Sequence, residues 1–195
     1  MGGTGTPNLG TNHSPLGRAV SVALADPVVK QPAPADPVGV IQPWRYSGDG
    51  SRFAYEQQKC GTGANPSSDE QGAIAVASAD GSGVKVIVPL GGVRTHPGGE
   101  IAWSPTDDVI AFGTQDGQLS LVASDGTGLR TVDLPQAGFA YGPTWSPDGK
   151  WIVVTVALQA TGHDDLFVVS PDGLTMRQVT DTVEVEAFTD WGTAP

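Results

Sequence analysis

The fold is decided by Trp145-Ser146-Pro147-Asp148-Gly149-Lys150-Trp151-Ile152-Val153-Val154, an aromatic residue, a serine, an acidic turn and then a run of strand-forming residues. Asp-Gly between two such runs is a strong hairpin signal, because Gly tolerates the positive φ that tight turns require. The stretch has two counterparts upstream. Trp103-Ser104-Pro105-Thr106-Asp107-Asp108-Val109-Ile110-Ala111-Phe112 matches it closely, and Tyr46-Ser47-Gly48-Asp49-Gly50-Ser51-Arg52-Phe53-Ala54-Tyr55 more loosely. Asp107-Asp108 replaces Asp-Gly in the second copy, which implies a looser turn rather than a new site.

Each copy is followed by a second element of the same design: Ile74 to Gly81, Leu119 to Gly126 and Leu166 to Gly173, all ending in Asp-Gly. No segment carries a convincing apolar period of 3.6, so helices are not expected. The second copy predicts strands at Ile101–Trp103, Val109–Gly113, Gln118–Ala123 and Leu129–Leu134. Four short strands in a unit of about 45 residues is the signature of a β-propeller blade. The expected fold is therefore all-β, with three to four four-stranded antiparallel blades in an incomplete ring. Tyr46, Trp103, Trp145 and Trp191 recur at one repeat position and are expected to pack between blades.

The W-S-P-D-G-K-W-I-V-V and D-L-F-V-V-S-P-D-G stretches, with Arg177-Gln178-Val179-Thr180 and the closing Thr189-Asp190-Trp191-Gly192, resemble the repeat of TolB-like, WD-repeat-like β-propellers. The resemblance covers residues 44–195 and is specific for fold far more than for function. It implies a ring of about six blades. Three are legible here, so the reading is the C-terminal part of a propeller, with self-association as another way to complete the ring. The resemblance further implies a non-enzymatic scaffold that binds a protein or peptide partner, periplasmic or extracellular in a bacterial envelope. The alternative is the accessory propeller of an oligopeptidase-type hydrolase whose catalytic domain is not in this chain.

Residues 1–43 read differently. They are Gly- and Pro-rich, contain Lys30-Gln31-Pro32-Ala33-Pro34-Ala35-Asp36-Pro37, and are expected to be a flexible linker or a degenerate blade. Arg18 and the apolar run Ala19 to Ala25 only faintly imitate an export signal, being too short and poorly flanked.

Composition narrows the chemistry. The 195 residues include 27 Gly, 16 Pro and five Trp, and 10 basic against 21 acidic side chains leave a net charge of −11. Such a balance opposes nucleic-acid binding, since no excess of Lys and Arg is available to neutralise phosphate. No run approaches a membrane span. One cysteine, Cys60, excludes an internal disulfide and any cysteine-based zinc cluster. There is no Gly-x-Ser-x-Gly elbow and no phosphate-binding loop. His163-Asp164-Asp165 places an imidazole beside two carboxylates, but consecutive residues do not converge on one centre, so no metal or cofactor is expected.

Topology then places the binding surface. In an up-and-down blade the first and third turns share one end, and the middle loop and inter-blade connection share the other. The acidic turns occupy the first end, while loop length varies at the second. Variable loops on a rigid scaffold are where recognition usually sits. The candidates there are Arg94, His96, Tyr141, His163, Asp164 and Asp165.

Overall fold

Three turns explain why these residues make hairpins. In a computed structural model that describes residues 21–23, 26–30, 39–59, 71–93, 101–114, 116–134, 138–183 and 191, Ser47, Ser146 and Ser170 each open the same construction. The serine hydroxyl donates to the aspartate two residues on, at 2.6 Å for Asp49, 2.7 Å for Asp148 and 2.5 Å for Asp172. Each hydroxyl also accepts the backbone N–H that restarts the chain, from Arg52, Trp151 and Thr175. The following Gly50, Gly149 and Gly173 take φ of 68°, 69° and 75°, the left-handed conformation that disfavours a side chain. Ser-x-Asp-Gly thus closes its own turn without help from distant residues.

Fourteen strands result among the described residues. β1 (Ser21–Ala23) and β2 (Asp26–Lys30) pair as a separate two-stranded sheet. The first blade holds β3 (Gly39–Tyr46), β4 (Arg52–Lys59), β5 (Gln71–Ser78) and β6 (Lys85–Val93). The second holds β7 (Ile101–Trp103), β8 (Val109–Gly113), β9 (Leu119–Ala123) and β10 (Arg130–Val132). The third holds β11 (Gly138–Trp145), β12 (Ile152–Leu158), β13 (Asp164–Val169) and β14 (Met176–Gln178). In each blade sequence neighbours pair antiparallel, and the three sheets form an open arc. The first blade begins at Gly39, upstream of the boundary expected at residue 44.

Alternation along the strands builds two cores, because successive side chains point to opposite faces. On β8, Ile110 and Phe112 face the first blade, joining Ala54, Ile74, Val76, Ile87 and Val88. Ala111, between them, faces the third blade, where Trp145, Ile152, Val154, Val156, Phe167 and Val169 pack. Each large side chain buried in this way contributes roughly 1.5–3 kcal/mol. Between blades, β7 packs on β3 and β4, and β11 on β7, β8 and β9.

The anchors behave as the repeat predicts at Trp103 and Trp145, both buried. The Trp145 indole donates to the Ala102 carbonyl at 3.1 Å, and the Trp191 indole to Thr144 at 3.0 Å, tying each anchor to the blade behind it. Tyr46 shares the register but stays 38% exposed, its ring tilted against Phe53 at 5.8 Å.

Polar links cross the same interfaces. Arg52 of the first blade meets Asp108 at 2.9 Å and the Ser124 hydroxyl at 2.5 Å, with its guanidinium 5.2 Å from the centre of the Trp103 ring. Ser124 also donates to Asp108 at 2.6 Å. Asp108, expected to mark only a looser turn, therefore fastens two blades. Nearer the rim, Lys85 donates to the Asp125 carbonyl at 2.7 Å and Arg130 to the Pro171 carbonyl at 3.1 Å.

Candidate functional site

The two ends of the arc differ in what they leave free. At the turn end the chain is crowded and its charges are used locally. A Cβ on Gly48 would stand 2.2 Å from the Pro105 carbonyl oxygen, so the first and second blades touch backbone to backbone there. Asp49 accepts from the Ser47 hydroxyl and from the N–H and hydroxyl of Ser51, which hold its carboxyl down to about 2. Asp125, Asp148 and Asp172 are lowered in the same way, chiefly by the hydroxyls of Thr127, Ser146 and Ser170. These carboxylates are turn structure first.

At the opposite end the third blade gathers four of the six predicted residues. Its middle loop is short: β12 runs to Leu158 and β13 starts at Asp164. Asp164 and Asp165 therefore lie in a strand, not a loop, and Tyr141 lies within β11 rather than in the inter-blade connection. The reason is pairing. Antiparallel partners continue from Ile152↔Val169 through Ala157↔Asp164, and the chain reverses only over 159–163, with Gly162 at φ 72°.

Register then sorts the side chains. Tyr141 lies opposite Thr155, and Asp164 opposite Ala157, so both stand on the face turned away from the second blade. They meet across β12, the Tyr141 hydroxyl donating to Asp164 Oδ2 at 2.7 Å. Both are half-buried, and Thr155 beside them is buried. Asp165 pairs with Val156 and points the other way, into the core. It is 2% exposed, and its oxygens accept from Gln178 Nε2 at 3.0 Å and the Thr182 N–H at 3.3 Å. A buried carboxylate satisfied by two donors braces the strand end and keeps the chain after β14 in place. His163 sits half-buried at the base of the reversal, its carbonyl accepting from the Leu158 N–H at 2.8 Å. The structure thus brings Tyr141 and Asp164 together, sets His163 beside them in sequence, and turns Asp165 inward. Arg94 and His96, like Cys60, lie outside the described residues.

Solved structures place this architecture. A putative TolB from Agrobacterium tumefaciens superposes with a TM-score of 0.65 at 19% identity, over 90% of this chain and 59% of that one. The fold is that of a TolB-like β-propeller. TolB from Acinetobacter baumannii matches at a TM-score of 0.56 and 14% identity, over 77% of this chain and 34% of its own. Oligogalacturonate lyase from Vibrio parahaemolyticus matches at 0.64 and 14%, over 82% and 46%. This chain spans between about a third and three-fifths of the length of these neighbours. No protein-family model matches it.

Two residues of the site escaped sequence reading. Gln178 and Thr182 hold Asp165, but nothing in Arg177-Gln178-Val179-Thr180 marks an amide aimed at a carboxylate thirteen residues back. Alternation alone does not single out Asp165 as the inward residue, since Leu166 and Val168 on the parity of Asp164 are as apolar as Phe167 and Val169 on the parity of Asp165.

Proposed function

We propose that this TolB-like propeller is a non-enzymatic scaffold whose loop end binds a protein or peptide partner in the bacterial cell envelope. The observation that carries the reading is the Tyr141–Asp164 pair, half-buried and fixed by strands rather than by a loose loop. A tyrosine offers a large apolar contact area at small entropic cost, and a carboxylate beside it accepts from a Lys, an Arg or a backbone N–H. The turn end supports the choice of face, because its aspartates are already occupied by Ser and Thr hydroxyls. The envelope assignment rests on the resemblance to TolB-like propellers.

The test is a selection of peptides displayed in a random library against the purified chain, followed by calorimetry on the winners. Asp164→Ala and Tyr141→Phe are each expected to weaken the selected peptides by about tenfold, the worth of one good hydrogen bond to a charged group. Lys150→Ala, at the turn end, is expected to change nothing. Peptides that bind equally well to the Asp164 and Tyr141 variants would refute the site.

A further inference from the structure

Asp-Gly carries a chemistry of its own. The Gly nitrogen, unhindered by a side chain, attacks the aspartate side-chain carbon: an N–Cγ bond forms, and the carboxyl hydroxyl leaves with the amide proton as water. Water then opens the resulting five-membered succinimide at either carbonyl. Opening at the main-chain carbonyl leaves isoaspartate, with no net change in mass. The first step needs a protonated carboxyl that is free to rotate onto the nitrogen. The chain has six such pairs, at Asp49, Asp80, Asp116, Asp125, Asp148 and Asp172.

Five of the six are tied down by the main chain. Their carboxylates accept the N–H two residues on, from Ser51 at 3.0 Å, Ser82 at 2.9 Å, Thr127 at 2.8 Å, Lys150 at 3.2 Å and Leu174 at 3.0 Å. Each also accepts from a Ser or Thr hydroxyl. Bonds of both kinds favour the ionised carboxylate, which is the unreactive form.

Asp116 differs. It lies in the reversal between β8 and β9, where the Gln118 N–H donates to the Thr114 hydroxyl at 2.9 Å instead. The turn at Asp125 is closed in the same way, by Ala123 on Thr127 as Thr114 closes on Gln118. Ala123 has no hydroxyl to compete, so there the Thr127 N–H goes to the aspartate. Asp116 is exposed and, among the described residues, accepts only from the Thr114 hydroxyl. The residue after it also joins two blades, because the Gly117 carbonyl accepts the Ala140 N–H at 2.8 Å, next to Tyr141. Isoaspartate routes the main chain through Cβ and Cγ, and the added methylene displaces that carbonyl.

We propose that Asp116 is where this chain converts to isoaspartate on ageing, and that the conversion breaks the link from Gly117 to Ala140.

The test is peptide mapping of the full chain after storage in warm neutral buffer, with electron-transfer fragmentation to tell isoaspartate from aspartate. Asp116 is expected to convert about tenfold faster than any of the other five, the rate these lose when a hydrogen bond to a charged group must first break. In guanidinium chloride, where no turn survives, the six should convert at similar rates. Thr114→Ala releases the Gln118 N–H to Asp116 and should slow conversion there, while Asp116→Glu, which would have to close a six-membered ring, should abolish it. In the converted fraction the Ala140 amide should exchange with deuterium about tenfold faster than in the parent chain. Another Asp-Gly pair that keeps pace with Asp116 in the folded chain overturns the site. So does a folded chain unconverted at Asp116 under conditions where the denatured chain converts. An Ala140 amide that keeps its original exchange rate overturns the broken link.

Discussion

Replacing Arg52 by Ala removes three contacts at once, and their sizes can be added. The ion pair with Asp108 is 2.9 Å long, but its side chains are 39% and 52% exposed, so solvent screening leaves it about 0.5 kcal/mol. The hydrogen bond to Ser124 is worth about 0.5–1 kcal/mol, and the guanidinium over Trp103 about 0.5 kcal/mol at such an exposed position. The total is about 1.5–2 kcal/mol. For a domain of this length that lowers Tm by roughly 3–8 °C. Differential scanning calorimetry on Arg52→Ala, Asp108→Ala and the double variant measures both the sum and the coupling. The coupling is expected to be about 0.5 kcal/mol and to fade in 1 M salt, where the Debye length is about 3 Å. Arg52→Lys should recover the charge without the planar stacking, and so about a third of the loss. If Arg52→Ala moves Tm by less than 1 °C, or the two single losses simply add, the clamp does not join the blades.

Other outcomes follow from single positions. Gly48→Ala drives a methyl against the Pro105 carbonyl and should cost about 2–3 kcal/mol, whereas Gly50→Ala, at φ 68° with open space around it, should cost only about 1 kcal/mol of backbone strain; chemical denaturation compares them, and equal losses would contradict the backbone contact. Asp49 has its folded carboxyl at about 2, below the unfolded value near 3.9, so its stabilisation is complete above about pH 4 and is lost as pH falls toward 2. Asp125, Asp148 and Asp172 shift the same way, and Tm should drop between pH 4 and pH 2 with a smaller drop in Asp49→Asn; a flat profile would show the turns contribute nothing through charge. Asp165→Ala strands two donors and should cost about 2 kcal/mol, while Asp164→Ala strands only the half-buried Tyr141 hydroxyl and should cost about 1 kcal/mol; thermal melts that rank them the other way would reverse the assignment of inward and outward carboxylates.

What the sequence disclosed follows the range of the forces involved. Ser146-Pro147-Asp148-Gly149 is legible because the turn is closed by atoms within five residues, and the strands of the second blade fell almost where the turns put them. The role of Asp108 was hidden because Arg52 lies on another blade, and no local pattern distinguishes a clamp from a loose turn. The sequence assigns Tyr141, Asp164 and Asp165 to loops, whereas they lie in strands, since hairpin pairing extends strands past the last clearly apolar residue. Which of the two aspartates faces the core depends on register, and register depends on where the reversal at 159–163 falls.

The cations at the rim have a wider consequence. Lys85 and Arg130 bond to main-chain carbonyls, a group that every amino acid supplies. Unlike the Arg52–Asp108 clamp, these two links read the shape of a turn and are blind to its side chains. A substitution of the Asp125 or Pro171 side chain therefore leaves the acceptor of each link in place, whereas a change of turn geometry removes it.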